Sequence, residues 1–234
     1  MQALGQAVLD RLELTGDETV LDAGCGSGRV TEVLIARLPR GHAIGVDVSA
    51  SMVLAAHERL GPTADIRRAD LLELERELEE PVDAILSTAT LHWIADHDAL
   101  FRSLHGALRP GGRLVAQCGG EGNITKLRAR AGVVMAREPY AEPFRTFRPP
   151  WNYASPEDTR SRLLAAGFAS AECRLTPAPT EPGHPREFLS TIVLGPHVQH
   201  LPESLREPFM DAVMDELGEP VVVDYVRLNI DAVA

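Results

Sequence analysis

Three glycines at alternate positions, Gly24, Gly26 and Gly28, follow an aspartate in the run Leu21-Asp22-Ala23-Gly24-Cys25-Gly26-Ser27-Gly28. Between a strand and a helix, glycines let a ligand lie directly on the backbone, because no Cβ holds it off. Such a ligand sits at the carboxyl ends of the strands, where open α/β sheets bind. A dinucleotide loop needs glycine or alanine where Arg29 stands, so the dehydrogenase reading is disfavoured. A phosphate-cradling P-loop needs a Gly-Lys-Ser/Thr ending, which is absent. Two further acids end later strands: Asp47 and Asp70. A carboxylate at Asp47 can accept from both hydroxyls of a ribose, and one at Asp70 from an exocyclic amine. Acids at these positions suit a cationic nucleoside that carries no phosphates.

Those residues need strands and helices to hold them. Short apolar runs predict strands at Thr19–Asp22, His42–Asp47, around Ile66 up to Asp70, Val82–Ser87 and Arg113–Cys118, the last after the turn Arg109-Pro110-Gly111-Gly112. Ala3–Leu14 reads as a helix leading into the first strand. Val30–Leu38 has helical spacing, and Ser49 caps a helix whose apolar face is Met52, Val53 and Ala56. Repeated strand–helix units predict a parallel sheet with helices on both faces. After Cys118 the pattern changes. A loop at Gly119–Asn123 precedes a helix over Ile124–Arg137, and Glu138–Pro156 is rich in proline and aromatics. Ser155-Pro156-Glu157-Asp158 starts a helix that ends at Gly167. A weak strand at Glu172–Thr176, helices over Arg186–His200 and Glu203–Leu217, and a strand over Val221–Ile230 complete the chain.

The 234 residues are 44% hydrophobic and 24% charged, which is enough to bury a sizeable core. The net charge of −11 lowers any nucleic-acid reading, because phosphate neutralisation needs a basic face. No apolar run reaches the length of a membrane span and no secretory signal is visible. Cys25, Cys118 and Cys173 are odd in number, form no CxxC pair and read as reduced thiols, while His and Cys spacings give no metal site. The expectation is a cytoplasmic protein, a monomer or homodimer, with a small-molecule partner, no nucleic acid and no membrane.

Asp22–Gly28, Asp47-Val48-Ser49, Ala69-Asp70 and Pro110-Gly111-Gly112 together resemble the class I S-adenosylmethionine-dependent methyltransferases. Leu91-His92-Trp93, Asp96-His97 and Pro150-Trp151-Asn152-Tyr153 resemble, more narrowly, the trans-aconitate 2-methyltransferase group. The resemblance implies a doubly wound, Rossmann-like α/β sheet. It would be mostly parallel with the last strand (about 221–230) antiparallel, helices on both faces and a small inserted cap. It implies one domain over 1–234, with 120–155 and 182–218 as substrate-cap insertions. Its cofactor is S-adenosylmethionine. Gly24, Gly26 and Gly28 would line the methionine part and Asp47 would hold the ribose, with Asp22 and Val48 also among the cofactor-binding residues. Met52 would pack on the adenine, Asp70 with Leu71 would meet its amino group, and Thr88 and Ala89 would approach the methionine end. The resemblance also implies an arm of a couple of turns ahead of Ala3–Leu14, and the expectation here is either a truncated or trimmed chain or a site left more open than usual.

The acceptor has to be placed and water excluded, since alignment accounts for much of the barrier reduction. A carboxylate acceptor needs no base, whereas a phenol, amine or carbon acid does. His92 and Trp93 follow the fourth strand directly and are the catalytic candidates, His92 either orienting a carboxylate or acting as a base. Asn123, Phe147, Arg148, Trp151 and Tyr153 are the substrate-binding candidates, with apolar walls, polar tips and an arginine for an anion. Relatives that methylate amide or base nitrogens often carry Asn/Asp-Pro-Pro-aromatic after the fourth strand, and Ser87-Thr88-Ala89-Thr90 is not that. The expected activity is methyl transfer to a small molecule, favouring a carboxylate oxygen. The alternatives are another O, N or C acceptor, or a protein that binds the cofactor without turnover.

Overall fold

The structure is a computed structural model that describes residues 2–234. Five parallel strands follow the sequence pattern: β1 (Thr19–Ala23), β2 (His42–Asp47), β3 (Asp65–Arg68), β4 (Val82–Thr88) and β5 (Leu108–Gly119). Two more, β6 (Ser170–Pro177) and β7 (Val226–Val233), extend the sheet in the order β3-β2-β1-β4-β5-β7-β6. β7 is antiparallel to both of its neighbours. β1 and β4, at the centre, are buried on both faces, as central strands of a parallel sheet must be.

Side-chain alternation sorts the two faces. Leu21, Ile85 and Leu114 pack on Leu100, Phe101 and Leu104 of the helix His97–Gly106. Their neighbours Val20, Ala84 and Val115 face the other way, onto Val8 and Leu9 of the helix Gln2–Leu9 and Leu34 of the helix Arg29–Ala36. A separate core lies beyond the sheet. Residues of the helices Thr125–Met135 and Glu203–Leu217 build it, with Leu189, Val193, Val221, Val223 and Tyr225. Phe209 is fully buried there, its ring 5.5 Å from Tyr140 and 5.2 Å from Phe144.

Both expected serine caps form: Ser49 Oγ accepts from the Met52 N–H, and Ser155 Oγ from the Asp158 N–H. Three expectations need correction. The last strand covers Val226–Val233 and not 221–230, because Val221, Val223 and Tyr225 are spent on the second core and only Val223 bridges, to Thr180. The single helix expected over Arg186–His200 is broken into Pro185–Phe188, a wide turn at Leu189–Val193 and Gly195–His200. Pro196 has no N–H to continue the ladder, and the Leu194 N–H reaches back five residues to the Leu189 carbonyl. The first helix ends at Leu9, short of Leu14.

Phe209→Ala is expected to cost about 3–5 kcal/mol, the range for emptying a buried aromatic site. Denaturant melts would measure it. Limited proteolysis should then cut within 182–218 before it cuts the sheet strands.

Candidate active site

At the carboxyl end of β1, the Gly24 and Cys25 N–H groups both donate to the Val46 carbonyl at 2.9 Å. This folds the glycine loop back over the end of β2. Gly24 has φ +81°, and a Cβ there would lie 2.2 Å from the Thr90 side chain, so only glycine fits. Thr90 Oγ1 in turn donates to the Gly24 carbonyl, tying the loop to the end of β4. Gly26, φ +55°, faces open space, where a Cβ would meet nothing within 4 Å.

Asp47 ends β2 with both oxygens fixed by backbone. Oδ2 accepts from the Gly26 N–H at 3.0 Å and Oδ1 from the Ser49 N–H at 2.9 Å. Each oxygen keeps a lone pair for another donor. Beside it, Val48 and Met52 are exposed apolar side chains, 64% and 44% accessible. Asp70 is exposed as well and caps the turn Leu71–Glu73 through the Leu72 N–H. Leu71 turns away into the main core, so its side chain does not join the surface. An open backbone cradle, an anchored carboxylate and a bare apolar shelf fit an adenine nucleoside.

Asp22 is buried beneath the loop. Its Oδ2 accepts from Thr31 Oγ1 at 2.7 Å, while Oδ1 has no partner. Burial, with the nearby charge of Asp47, pushes its carboxyl up to about 6. An unpartnered, desolvated carboxylate beside the cradle fits a cationic ligand. Cys25 is buried and its thiol pushed up by burial, so it packs and does not react.

A second cavity, of about 120 Å³, opens where β4, β5 and β7 come together. Ala89, at φ +56°, and His92 border it from the end of β4. His92 is buried, and its Nδ1 accepts from the Gly119 N–H at 3.3 Å. That bond places the ring proton on Nε2. Burial and the Arg227 charge push the imidazole down to about 3, so it is neutral. Its ring lies 5.7 Å from Tyr153 and 5.3 Å from Trp93. Trp151 stacks on Tyr153 at 5.7 Å and meets Trp93 edge-on. The Asn152 N–H donates to the His92 carbonyl, which fixes this aromatic strip over the turn after β4. Burial pushes the Tyr153 phenol up to about 12, against the pull of the Asn123 amide beside it. Asn123 Oδ1 accepts from the Val226 N–H at 2.9 Å, anchoring the start of β7.

Arg227 completes the cavity. It is buried, with its guanidinium 3.9 Å from the Tyr225 ring centroid, a cation–π contact. Its Nε has no partner, and among the described residues no carboxylate comes within ion-pair distance of it. Burial lowers its pKa, but a guanidinium stays charged.

The structure therefore brings Ala89, His92, Trp93, Asn123, Trp151 and Tyr153 to one cavity. It does not bring Phe147 or Arg148 there. Phe147 packs on His197 and His200 in the second core, and Arg148 is exposed with its guanidinium on the Phe147 carbonyl. Thr88 lies at the end of β4, half-buried. The sequence reading missed Thr90, Ile192, Val193, Tyr225 and Arg227. An arginine at the start of the last strand, between Val226 and Leu228, was the available signal for Arg227. Among the described residues no three His, Cys, Asp or Glu side chains cluster as a metal site requires, and no helix is long and apolar enough to cross a membrane.

Residues 20–112 match a family model described as a methyltransferase domain. The chain is 31% identical to the trans-aconitate 2-methyltransferase of Paracidovorax citrulli, over 94% of this chain and 86% of that one. The same identity, over 95% and 87%, relates it to the enzyme of that name from Variovorax paradoxus. Among solved structures, YcgJ of Bacillus subtilis superposes with a TM-score of 0.65 at 15% identity, covering 100% of this chain and 98% of that one. The phosphoethanolamine N-methyltransferase 2 of Haemonchus contortus, solved with S-adenosylhomocysteine, gives 0.61 at 19% identity, covering 99% and 52%. At these identities the structures bear on the fold.

Asp22 sets a pH dependence whose sign follows from its raised pKa. Between the ordinary value of 3.8 and about 6, the unfolded chain ionises first, so stability falls as pH rises through that window. Asp22→Asn removes this cost. At pH 7.5 the ligand-free variant is expected to be about 2–3 kcal/mol more stable than wild type, and at pH 4 no more stable. Denaturant melts at the two pH values would check it.

Proposed function

The chain belongs to the class I S-adenosylmethionine-dependent methyltransferases, and from that premise we propose that it methylates a carboxylate oxygen of a small molecule. One observation carries the reading: Arg227 is a buried cation facing a cavity at the strand ends, with no acid to pair it. A buried charge is costly until it is paired, and a substrate carboxylate pairs a guanidinium in bidentate fashion. The relatives named for trans-aconitate, itself a carboxylate, support the same chemistry.

S-adenosylmethionine, when bound, supplies an electrophilic methyl group on a sulfonium. Transfer to a carboxylate forms an O–C bond, breaks an S–C bond and leaves a neutral ester and a neutral thioether, with no proton to move. On this reading Asp22, Gly24, Gly26, Gly28, Asp47, Val48, Met52 and Asp70 hold the cofactor, with Thr88 and Ala89 at its methionine end. Leu71 contributes backbone only. Arg227 holds the carboxylate and His92 offers its Nε2–H as a second donor. Asn123 and Tyr153 keep the cavity's polar rim in place, while Trp93 and Trp151 exclude water. The apolar walls help, because opposite charges are lost on reaction and a low dielectric favours that loss.

His92 in this role is a donor and not a base. With His92 near 3 and Tyr153 near 12, kcat at saturating cofactor should be flat from about pH 6 to 9. His92→Gln, which keeps an N–H, should retain activity within about tenfold, whereas loss of a general base costs about 10²–10⁴. Arg227→Gln should lower kcat/KM for a carboxylate by about 10²–10³, as expected for removing one partner of a buried charge pair. Labelled methyl transfer followed by release of methanol in mild base reads out the ester. Product stable to base, or a rate that climbs with pH, would point to a protonated acceptor instead.

A further inference from the structure

The charge inventory of the same cavity narrows the acceptor. Among the described residues, Arg227 is the one cation in its lining, no acid lines it, and His92 is neutral. Two other arginines lie near the aromatic strip but outside the lining, and the charge of Arg128 is felt at Tyr153. Arg128 is exposed, 6.0 Å from the centroid of the Trp151 ring, and Arg148 is exposed on the Phe147 carbonyl. The remaining walls are the aromatic strip with Ile124, Ile192 and Val193, and the other polar groups among them, Asn123, Tyr225 and His92, are neutral. A polycarboxylate seated on Arg227 would bring its other carboxylates against apolar walls and neutral donors, with no second cation in the lining to pair them. Desolvating an unpaired charge is among the largest penalties a site can impose. At about 120 Å³ the enclosed part is close to the size that holds one benzene ring. Trp93 and Ile192 are 43% and 39% accessible at its edge, so an apolar body can continue outward between them.

We infer that the acceptor is a monocarboxylate with an apolar body, an aryl or alkenyl acid. Its single carboxylate lies on Arg227 and its body runs between the aromatic strip and Ile192–Val193. The inference rests on the carboxylate reading above and departs from the tricarboxylate named for the relatives. It makes Ile192 a specificity-determining position: it borders the acceptor's body, is half-exposed, and is free to carry a longer side chain.

The test is calorimetric titration of trans-cinnamate, trans-2-octenoate and trans-aconitate into the protein saturated with S-adenosylhomocysteine, with ester formation from labelled S-adenosylmethionine followed in parallel. The monocarboxylates are expected to bind at least about tenfold more tightly than the tricarboxylate, since only their charge is fully paired. Ile192→Arg adds a second cation at the exposed edge of the cavity and should narrow that ratio by about tenfold through the tricarboxylate. This surface variant does not disturb Arg227, so it tests the geometry even if Arg227 variants fold poorly. Tricarboxylate binding as tight as the monocarboxylates, with its ester formed, overturns the inference and leaves the carboxylate reading standing. Selectivity unchanged in Ile192→Arg overturns the placement of the body. Failure of all three acids to bind or react overturns the carboxylate reading, and the inference with it.

Discussion

The antiparallel pairing of β7 with β5 sets Arg227 opposite Gly119, and the second half of the site depends on that register. Because β7 runs against the parallel strands, its first residues arrive where the others end. Gly119 gives its N–H to His92, and Val226 gives its own to Asn123, so the bonds that fix the strand also fix the cavity walls. A slip of one residue would turn Arg227 to the opposite face and put Val226 or Leu228 in its place. The arginine's place is thus a property of the sheet and not of a mobile loop.

Two buried, incompletely paired ionic groups of opposite sign flank the strand ends. Asp22 lies beneath the glycine loop with one free oxygen, and Arg227 lies in the cavity proposed for the acceptor with a free Nε. Each is the kind of group that folding alone selects against. Their signs match a cationic cofactor and an anionic acceptor, which ties the electrostatics of the empty protein to the charges it is built to receive. The proton inventory agrees: His92 and Tyr153 are both held neutral at ordinary pH, one as imidazole and the other as phenol.

The half proposed for the cofactor is local, and its placement at the strand ends was legible in the sequence. Asp22, the three glycines, Asp47 and Asp70 each sit at the end of a strand that alternation and glycine already mark. Leu71 shows the limit even there, since nothing in the spacing says whether a residue after a strand faces solvent or the main core. The acceptor half is not local. Ala89, Asn123, Tyr153, Val193 and Arg227 come from five separate stretches, joined by the β5–β7 register, the Asn152–His92 bond and the packing of the second core. Phe147 and Trp151 share one aromatic-rich segment, yet one fills the second core and the other lines the cavity. Composition cannot separate them: both touch His197, but Trp151 also stacks on Tyr153 and meets Trp93 at the cavity, and Phe147 packs on Phe144 and His200 instead. The break at Leu189–Val193 was hidden for a similar reason: Pro196 was visible, but not that the turn before it would carry cavity walls.

The hydrophobic interior is divided, one core wrapping the sheet and another filled by Phe209, Leu189 and their neighbours beside it. Substitutions in separate, distant clusters act nearly additively. A lineage of such chains can therefore repack the second interior, and with it the aliphatic wall at Val193, without straining the strand ends that carry the glycine loop. Acceptor choice becomes an evolvable trait, held apart from the fixed cofactor chemistry by a seam in the packing.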